Sequence, residues 1–153
     1  MQLSMLNRKE IILFSMLKRL LILLEDIMNK QIHYKAIFQN NQNQNKVEYC
    51  RIGNYEYQES LHHLSFDIEE TPVHISYNEH QVKLVHGTSE LNFKKDIEIA
   101  NSYQTPYGNI EMISKIRNMK ANDHKLHLIY DLYQDNHLIT TVYLLVKFED
   151  IHS

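Results

Sequence analysis

The feature that most limits how this chain can fold is an alternation of apolar and polar residues that begins at residue 31 and continues to the end. Short polar turns interrupt it about every 8 to 12 residues, and helical spacing is not sustained after Met28. Successive side chains of a strand point to opposite faces, so each alternating run predicts a strand with one buried face. The pattern therefore predicts an all-β domain.

The alternating runs predict about ten strands that follow one another with short connections. The runs cover residues 32–38, 46–58, 64–68, 73–77, 82–86, 91–93, 97–103, 110–116, 125–134 and 138–148. Short connections favour an up-and-down barrel over a Greek-key sandwich, and closure removes exposed strand edges. We therefore expect a small, closed or nearly closed antiparallel up-and-down β-barrel of about 8 to 10 strands.

Turn residues mark where the strands should reverse. In Thr105-Pro106-Tyr107-Gly108, proline at the second position and glycine at the fourth fit a type I turn between two strands. The polar tract over residues 40–45 predicts a hairpin loop, and Thr71-Pro72 should separate two strands. Gly53, inside the second predicted strand, indicates a bulge or bend that curves the sheet.

Residues 1–27 differ from the rest of the chain, because they are rich in Leu, Ile and Met and contain no Gly or Pro. Their apolar runs are too short for the roughly 20 residues that span a bilayer, and no small-residue cleavage site follows. Three interpretations remain: an amphipathic helix on a membrane surface, a helical cap on the domain, or a stretch upstream of a true translation start at Met28. We favour the last, since the codons of Leu24-Glu25-Asp26 can contain a ribosome-binding site. Residues 28–153 are then a single β-barrel domain.

Composition narrows the classes of function. A single cysteine, Cys50, rules out an internal disulfide and fits a reducing, cytoplasmic location. The 16 basic and 19 acidic residues give a net charge of −3, which disfavours nucleic-acid partners because their affinity depends on phosphate neutralisation.

Several motifs also carry a family resemblance, which covers about residues 29–151 and is closest from residue 103 onward. The chain resembles the YwiB-like family (domain of unknown function family 1934), small bacterial β-barrel proteins with a calycin-like or lipocalin-like topology. The resemblance implies a fold and brings no catalytic residues with it. The matching motifs are Thr105-Pro106-Tyr107-Gly108, Leu126-x-Leu128-x-Tyr130-x-Leu132, Val146-x-Phe148 and, more weakly, Gly53-Asn54-Tyr55-Glu56-Tyr57.

Polar residues on the predicted inward faces are the candidate ligand-lining residues. They are Tyr34, Tyr49, Arg51, Tyr77, His86 and Tyr130. Tyrosine hydroxyls and one guanidinium would suit a small amphipathic or anionic ligand. The alternative is that the tyrosines simply fill the barrel and Arg51 points to solvent.

The sequence contains no motif that predicts catalysis, a cofactor or a metal centre. Neighbouring His62 and His63, and His124 with His127, would point to opposite faces of a strand and could not share a metal ion. Cys50 has no sequence cue for a lowered pKa, and glycine-rich phosphate loops and Gly-x-Ser-x-Gly motifs are absent. We therefore expect no enzymatic activity.

Two functional hypotheses follow. The first is a cytoplasmic binding protein that holds a small amphipathic ligand inside the barrel. The alternative is a protein-interaction module with a filled interior. Its surface would include the outward apolar residues Ile113, Ile129, Tyr133 and Tyr143.

Overall fold

The computed structural model describes the backbone of residues 7–151 and the side chains of residues 7–21 and 29–151. The described chain forms one helix followed by ten strands. These are α1 (Arg8–Met28), β1 (Asn29–Asn40), β2 (Asn43–Gln58), β3 (Leu61–Ile68), β4 (Thr71–Tyr77), β5 (Gln81–His86), β6 (Ser89–Lys94), β7 (Ile99–Thr105), β8 (Gly108–Ala121), β9 (Lys125–Gln134) and β10 (His137–Asp150). The helix ends and the first strand begins at the composition break predicted at Met28. Residues 1–6 of the predicted extension lie outside the described residues.

The ten strands form one antiparallel sheet in the order β6-β5-β4-β3-β2-β1-β10-β9-β8-β7. Sequence neighbours pair with each other, except for β6 and β7. An isolated bridge joins Lys94, the last residue of β6, to Ile97 in the connection that precedes β7. Pairing of β1 with β10 joins the two halves of the meander and places β6 and β7 at its two edges. The predicted all-β, nearly closed up-and-down barrel is confirmed.

The inner face of the barrel carries the hydrophobic core. On β1 the predicted inward residues alternate as expected, with Ile32 and Ala36 buried and Tyr34 and Phe38 packed against the core. The largest fully buried side chains come from both halves of the sheet, namely Tyr77, Phe93, Ile32, Leu64, Ile75, Leu126, Leu128 and Leu144. Burial of this apolar surface is the main stabilising contribution to the fold.

A bulge or bend was predicted at Gly53, and the bulge is not present, because the β1–β2 register runs through Gly53 without a shift. Gly53 instead allows close approach of the strands: a Cβ atom built there would lie 2.4 Å from the Ser65 carbonyl oxygen. The register shifts occur elsewhere, between Ile116 and Asn118 on β8 and between Leu138 and Thr140 on β10.

Two other local predictions need correction. The polar tract over residues 40–45 is mostly strand, because Asn40 pairs with Asn43 and only residues 41 and 42 form the turn. Pro72 does not separate strands but lies near the start of β4 opposite Asp67. A strand start tolerates the missing N–H of proline. Its carbonyl accepts a hydrogen bond from the Gly87 amide at 2.9 Å.

The turn predicted at Thr105-Pro106-Tyr107-Gly108 is confirmed, since β7 ends at Thr105 and β8 begins at Gly108. The hydroxyl of Thr105 accepts from the Tyr107 amide at 3.2 Å and donates to the Gly108 carbonyl at 2.7 Å. Gly108 has a φ of 117°, which favours glycine at this position.

Helix α1 begins with a reciprocal cap that the sequence analysis did not recognise. The Glu10 amide donates to Asn7 Oδ1 at 2.8 Å, and the Asn7 amide donates to the Glu10 carboxylate at 3.2 Å. Side chains of residues 8–21 are all exposed. Within the described residues, no helix combines the length and apolar character required to cross a membrane.

Candidate ligand pocket

The barrel wall opens where β2 and β3 diverge. Their ladder covers only five residues of β2, from Asn54 to Gln58, whereas the β1–β2 ladder continues to Asn43. Residues 66–68 of β3 pair with β4 alone. The divergence begins at Gly53, next to the point of closest approach between the two strands.

A pocket of about 310 Å³ lies beside this opening. Its lining is mainly apolar and is supplied by residues of strands β1 to β5 and by the β3–β4 turn. The lining residues are Tyr34, Phe38, Val47, Tyr49, Ile68, Glu69, Thr71, Val73, Ile75, Leu84, Val85 and His86. An apolar concavity with a few polar groups is the usual form of a small-molecule site.

Tyr34 and Tyr49 are the aromatic residues that face each other across β1 and β2. Their ring centroids are 6.4 Å apart, and Tyr34 also packs against Phe66 at 5.9 Å. Burial, with smaller contributions from Tyr49 and Tyr103, raises the pKa of Tyr34 to about 12. Tyr34 therefore remains a neutral phenol near neutral pH.

Arg51 supplies a cation next to Tyr49. Its guanidinium carbon lies 5.2 Å from the centre of the Tyr49 ring, and its Nη1 donates to the Cys50 carbonyl at 2.9 Å. Within residues 7–151, no carboxylate forms an ion pair with Arg51. The nearest polar contact of Tyr49 is its hydroxyl to the Glu69 carboxylate at 3.4 Å. Among the described residues, Tyr49 therefore has a cation against its ring and a carboxylate beside its hydroxyl, although Arg51 itself does not line the pocket.

The structure places three of the six predicted ligand-lining residues in this pocket. Tyr34, Tyr49 and His86 line the pocket, and Arg51 is exposed beside Tyr49. Tyr77 and Tyr130 share the inward face but are not part of this lining.

Tyr77 and Tyr130 contribute to packing. Tyr77 is fully buried, its hydroxyl donates to the Asn122 carbonyl at 2.7 Å, and its ring stacks on His62 at 4.7 Å. Tyr130 packs against Phe93 with ring centroids 4.5 Å apart. Burial raises the pKa of both tyrosines. The alternation predicted that both tyrosine side chains point inward. How far each one lies from the opening between β2 and β3 depends on the path of the sheet in three dimensions.

Two lining residues, Glu69 in the β3–β4 turn and Thr71 at the start of β4, were not predicted from the sequence. Glu69 and Glu70 have φ values of 49° and 67°. Two-residue hairpin turns of this kind usually contain Asn-Gly or Asp-Gly, so a Glu-Glu turn gives no recognisable signal.

A larger cleft of about 1290 Å³ involves the β8–β9 loop and strands β1, β2 and β10. It contains charged groups of both signs, and several pair with each other. Lys30 contacts Asp150, and His33 Nε2 lies 3.3 Å from the Glu149 carboxylate. We place the candidate site in the smaller pocket because its lining is mainly apolar and its polar groups are few.

The paired histidines of the sequence separate as predicted. His62 Nδ1 lies 2.8 Å from the Tyr55 hydroxyl, whereas His63 faces Ser76 on the neighbouring strand. Across residues 7–151, no three side chains of His, Cys, Asp or Glu are grouped so that they could hold a metal ion.

The amino-acid sequence matches a known protein family over the barrel. The profile of a family described as "Domain of unknown function (DUF1934)" matches residues 32–145, most of the chain. The chain belongs to this family. The family match lies within the barrel and spans β2 to β9 together with most of β1 and β10.

The barrel is also similar to a solved structure, the crystal structure of the ywiB protein from Bacillus subtilis. The TM-score is 0.64 at 14% sequence identity, and the similarity covers 80% of this chain and 92% of that chain. At this identity the similarity establishes the fold alone. No curated protein matches the sequence of this DUF1934 chain.

Proposed function

We propose that this protein binds a small amphipathic acid in the pocket between β2 and the β3–β4 turn. The observation that carries the proposal is an apolar pocket whose lining residue Tyr49 contacts the guanidinium of Arg51, for which no ion-pair partner is found among the described side chains. The apolar part of the ligand would occupy the pocket, and its carboxylate would contact Arg51 near the opening.

The size and lining of the pocket support a small ligand. Its volume of about 310 Å³ is at the lower end of the range of small-molecule sites. Phe38, Val47 and Leu84 would contact a short aliphatic or aromatic group. Eight-stranded barrels of the lipocalin type hold one small ligand in their interior, and a calycin-like relationship is part of this proposal.

Polar groups of the lining, together with Arg51 next to Tyr49, would orient the ligand. Arg51 can form two parallel hydrogen bonds with a carboxylate, and its stacking on Tyr49 limits its freedom before binding. The neutral phenol of Tyr34 can donate a hydrogen bond inside the pocket. Glu69 opposes a second negative charge, which favours a monoanion over a dianion.

The proposal describes binding without chemical conversion, in the cytoplasm. The described pocket lining contains no serine, cysteine or lysine nucleophile. Cys50 is exposed and has no disulfide partner, which suits a reducing compartment.

The test is a thermal-shift titration with straight-chain carboxylic acids from hexanoate to dodecanoate. At a concentration about 100 times Kd, binding should raise the melting temperature by about 5 to 15 °C. Arg51→Ala should reduce the shift, and Val47→Phe should abolish it by filling the pocket. Arg19→Ala, on the exposed surface of α1, is the matched control and should leave the shift unchanged.

The proposal would be contradicted if none of the acids raised the melting temperature. It would also be contradicted if the Val47→Phe variant folded and its melting temperature rose as much as that of the wild type. The interaction-module alternative would then be favoured. Tyr143 is exposed, and Ile113, Ile129 and Tyr133 are half-buried on the outer surface, so these residues would be the first to substitute in a search for a partner.

A further inference from the structure

Histidines and serines alternate on the outer face of β3 and β4, away from the ligand pocket. His63 is directly opposite Ser76, and Ser65 is directly opposite His74. The two histidines are therefore diagonal neighbours across the strand pair. Their rings are tilted by 37° with centroids 5.5 Å apart.

Three polar atoms of this cluster meet at one point. His63 Nδ1 lies 3.4 Å from His74 Nε2, and Ser76 Oγ lies 2.9 Å from each of these nitrogens. Ser76 is only 7% exposed, so the hydroxyl is held in place, whereas both imidazoles are half-buried and reach the surface.

The second nitrogen of His74 also has a partner. Its Nδ1 lies 2.9 Å from Ser65 Oγ. When Nδ1–H donates to Ser65, the lone pair of Nε2 faces His63 and Ser76. A hydrogen bond to the far nitrogen is the usual way in which metal-binding histidines are oriented.

We propose that His63 and His74 together bind one divalent transition-metal ion, zinc or copper, with Ser76 and water as further ligands. Two nitrogens bound tetrahedrally to one zinc ion at 2.0 to 2.1 Å are about 3.3 to 3.4 Å apart. The separation of His63 Nδ1 and His74 Nε2 is 3.4 Å. Imidazole suits zinc and copper, whereas calcium and magnesium prefer oxygen ligands.

Neighbouring charges are compatible with this site. Lys83 on β5 is opposite Ser76, but its ammonium group pairs with Glu90 at 3.3 Å. Metal binding would replace the hydrogen bonds of Ser76 to the rings and release any proton held between the nitrogens to solvent.

The experiment titrates the tag-free full-length protein with Zn²⁺ by calorimetry and records the electron paramagnetic resonance spectrum with one equivalent of Cu²⁺. We expect one Zn²⁺ per chain and coupling of Cu²⁺ to two imidazole nitrogens. His63→Gln and His74→Gln should each weaken Zn²⁺ binding at least about tenfold. The double variant His124→Gln with His127→Gln removes two of the ten histidines elsewhere and should bind as the wild type does.

Equal Zn²⁺ affinity of the wild type and a folded His63→Gln or His74→Gln variant would overturn the proposal. If those variants do not fold, the wild-type spectrum decides. Coupling to one nitrogen or to none would then overturn the proposal.

Discussion

The side chain of Asn101 pairs with the main chain of Asn92 across the seam between β7 and β6. The Asn92 amide donates to Asn101 Oδ1 at 2.8 Å, and Asn101 Nδ2 donates to the Asn92 carbonyl at 3.4 Å. Ser114 Oγ donates to the same carbonyl at 2.5 Å and accepts from Asn101 Nδ2 at 3.0 Å. Buried side chains thus supply hydrogen bonds where the two edge strands lack a continuous ladder.

Asn101→Ala should lower the free energy of unfolding by about 1 to 3 kcal/mol, because it removes a buried side chain that bonds both backbone groups of the half-buried Asn92. Urea denaturation measures this change. Asn118→Ala, an exposed position on β8, is the matched control and should change stability little. An equal effect of the two substitutions would show that the seam does not depend on Asn101.

Gly53→Ala should destabilise the barrel by about 1 to 3 kcal/mol through overpacking. The added methyl group would lie 2.4 Å from the Ser65 carbonyl oxygen and 2.7 Å from Ile32 Cδ1. Gly87→Ala is the comparison, since its nearest contact is a Thr71 methyl group at 3.2 Å, although its φ is 63°. We expect a lower melting temperature for Gly53→Ala than for Gly87→Ala. The reverse order would contradict the close approach of β2 and β3.

Stability should fall as the solution becomes acidic, because burial lowers the pKa of His62 and of His74 below the ordinary value of 6.5. Between the lowered pKa and about 6.5 the unfolded chain binds more protons than the folded chain, so falling pH favours unfolding. The contribution of these two neutral histidines to the free energy of unfolding is complete above about pH 6.5 and is lost progressively as the pH falls below it.

Urea midpoints measured at about pH 7.5 and about pH 5 test this sign. His62→Gln should narrow the difference between the two midpoints. His137→Gln, at an exposed position at the start of β10, should leave the difference unchanged. A midpoint that rises on acidification would contradict the prediction.

Residues 28–153 alone should form the barrel with a melting temperature close to that of the full chain. The side chains of residues 8–21 are exposed, and the ten-stranded sheet begins at Asn29. Parallel expression and thermal denaturation of both lengths test this prediction. An insoluble shorter chain, or one that melts far below the full chain, would show that the helix is structural. That result would also argue against translation from Met28.

Alternation in the sequence was sufficient to predict most of the strands and the inward face of β1. Turn residues were sufficient to place the reversal at Thr105-Pro106-Tyr107-Gly108, because proline restricts the backbone and glycine accepts conformations that other residues avoid. The run predicted over residues 110–116 was too short, because β8 continues to Ala121 and its register shift after Ile116 moves the next inward position to Met119. A single extra residue leaves no clear trace in a period-two pattern.

The partners of the polar side chains on the outer face could also not be predicted from the local sequence. Asp131 points away from the core but is 2% exposed, because Arg117 Nε donates to it at 2.6 Å and Thr141 Oγ1 donates at 2.6 Å. His63 and His74 are likewise eleven positions apart in the chain and meet only through the β3–β4 register.

The sequence by itself therefore determined the class of fold, the order of the strands and which side chains of each strand could face inward. Tertiary structure decided where β2 leaves β3, and hence that Tyr34, Tyr49 and His86 border a pocket while Tyr77 and Tyr130 do not. The physical reason is that strand direction and side-chain alternation depend on neighbouring residues. Register, sheet closure and cavities depend on contacts between residues far apart in the chain.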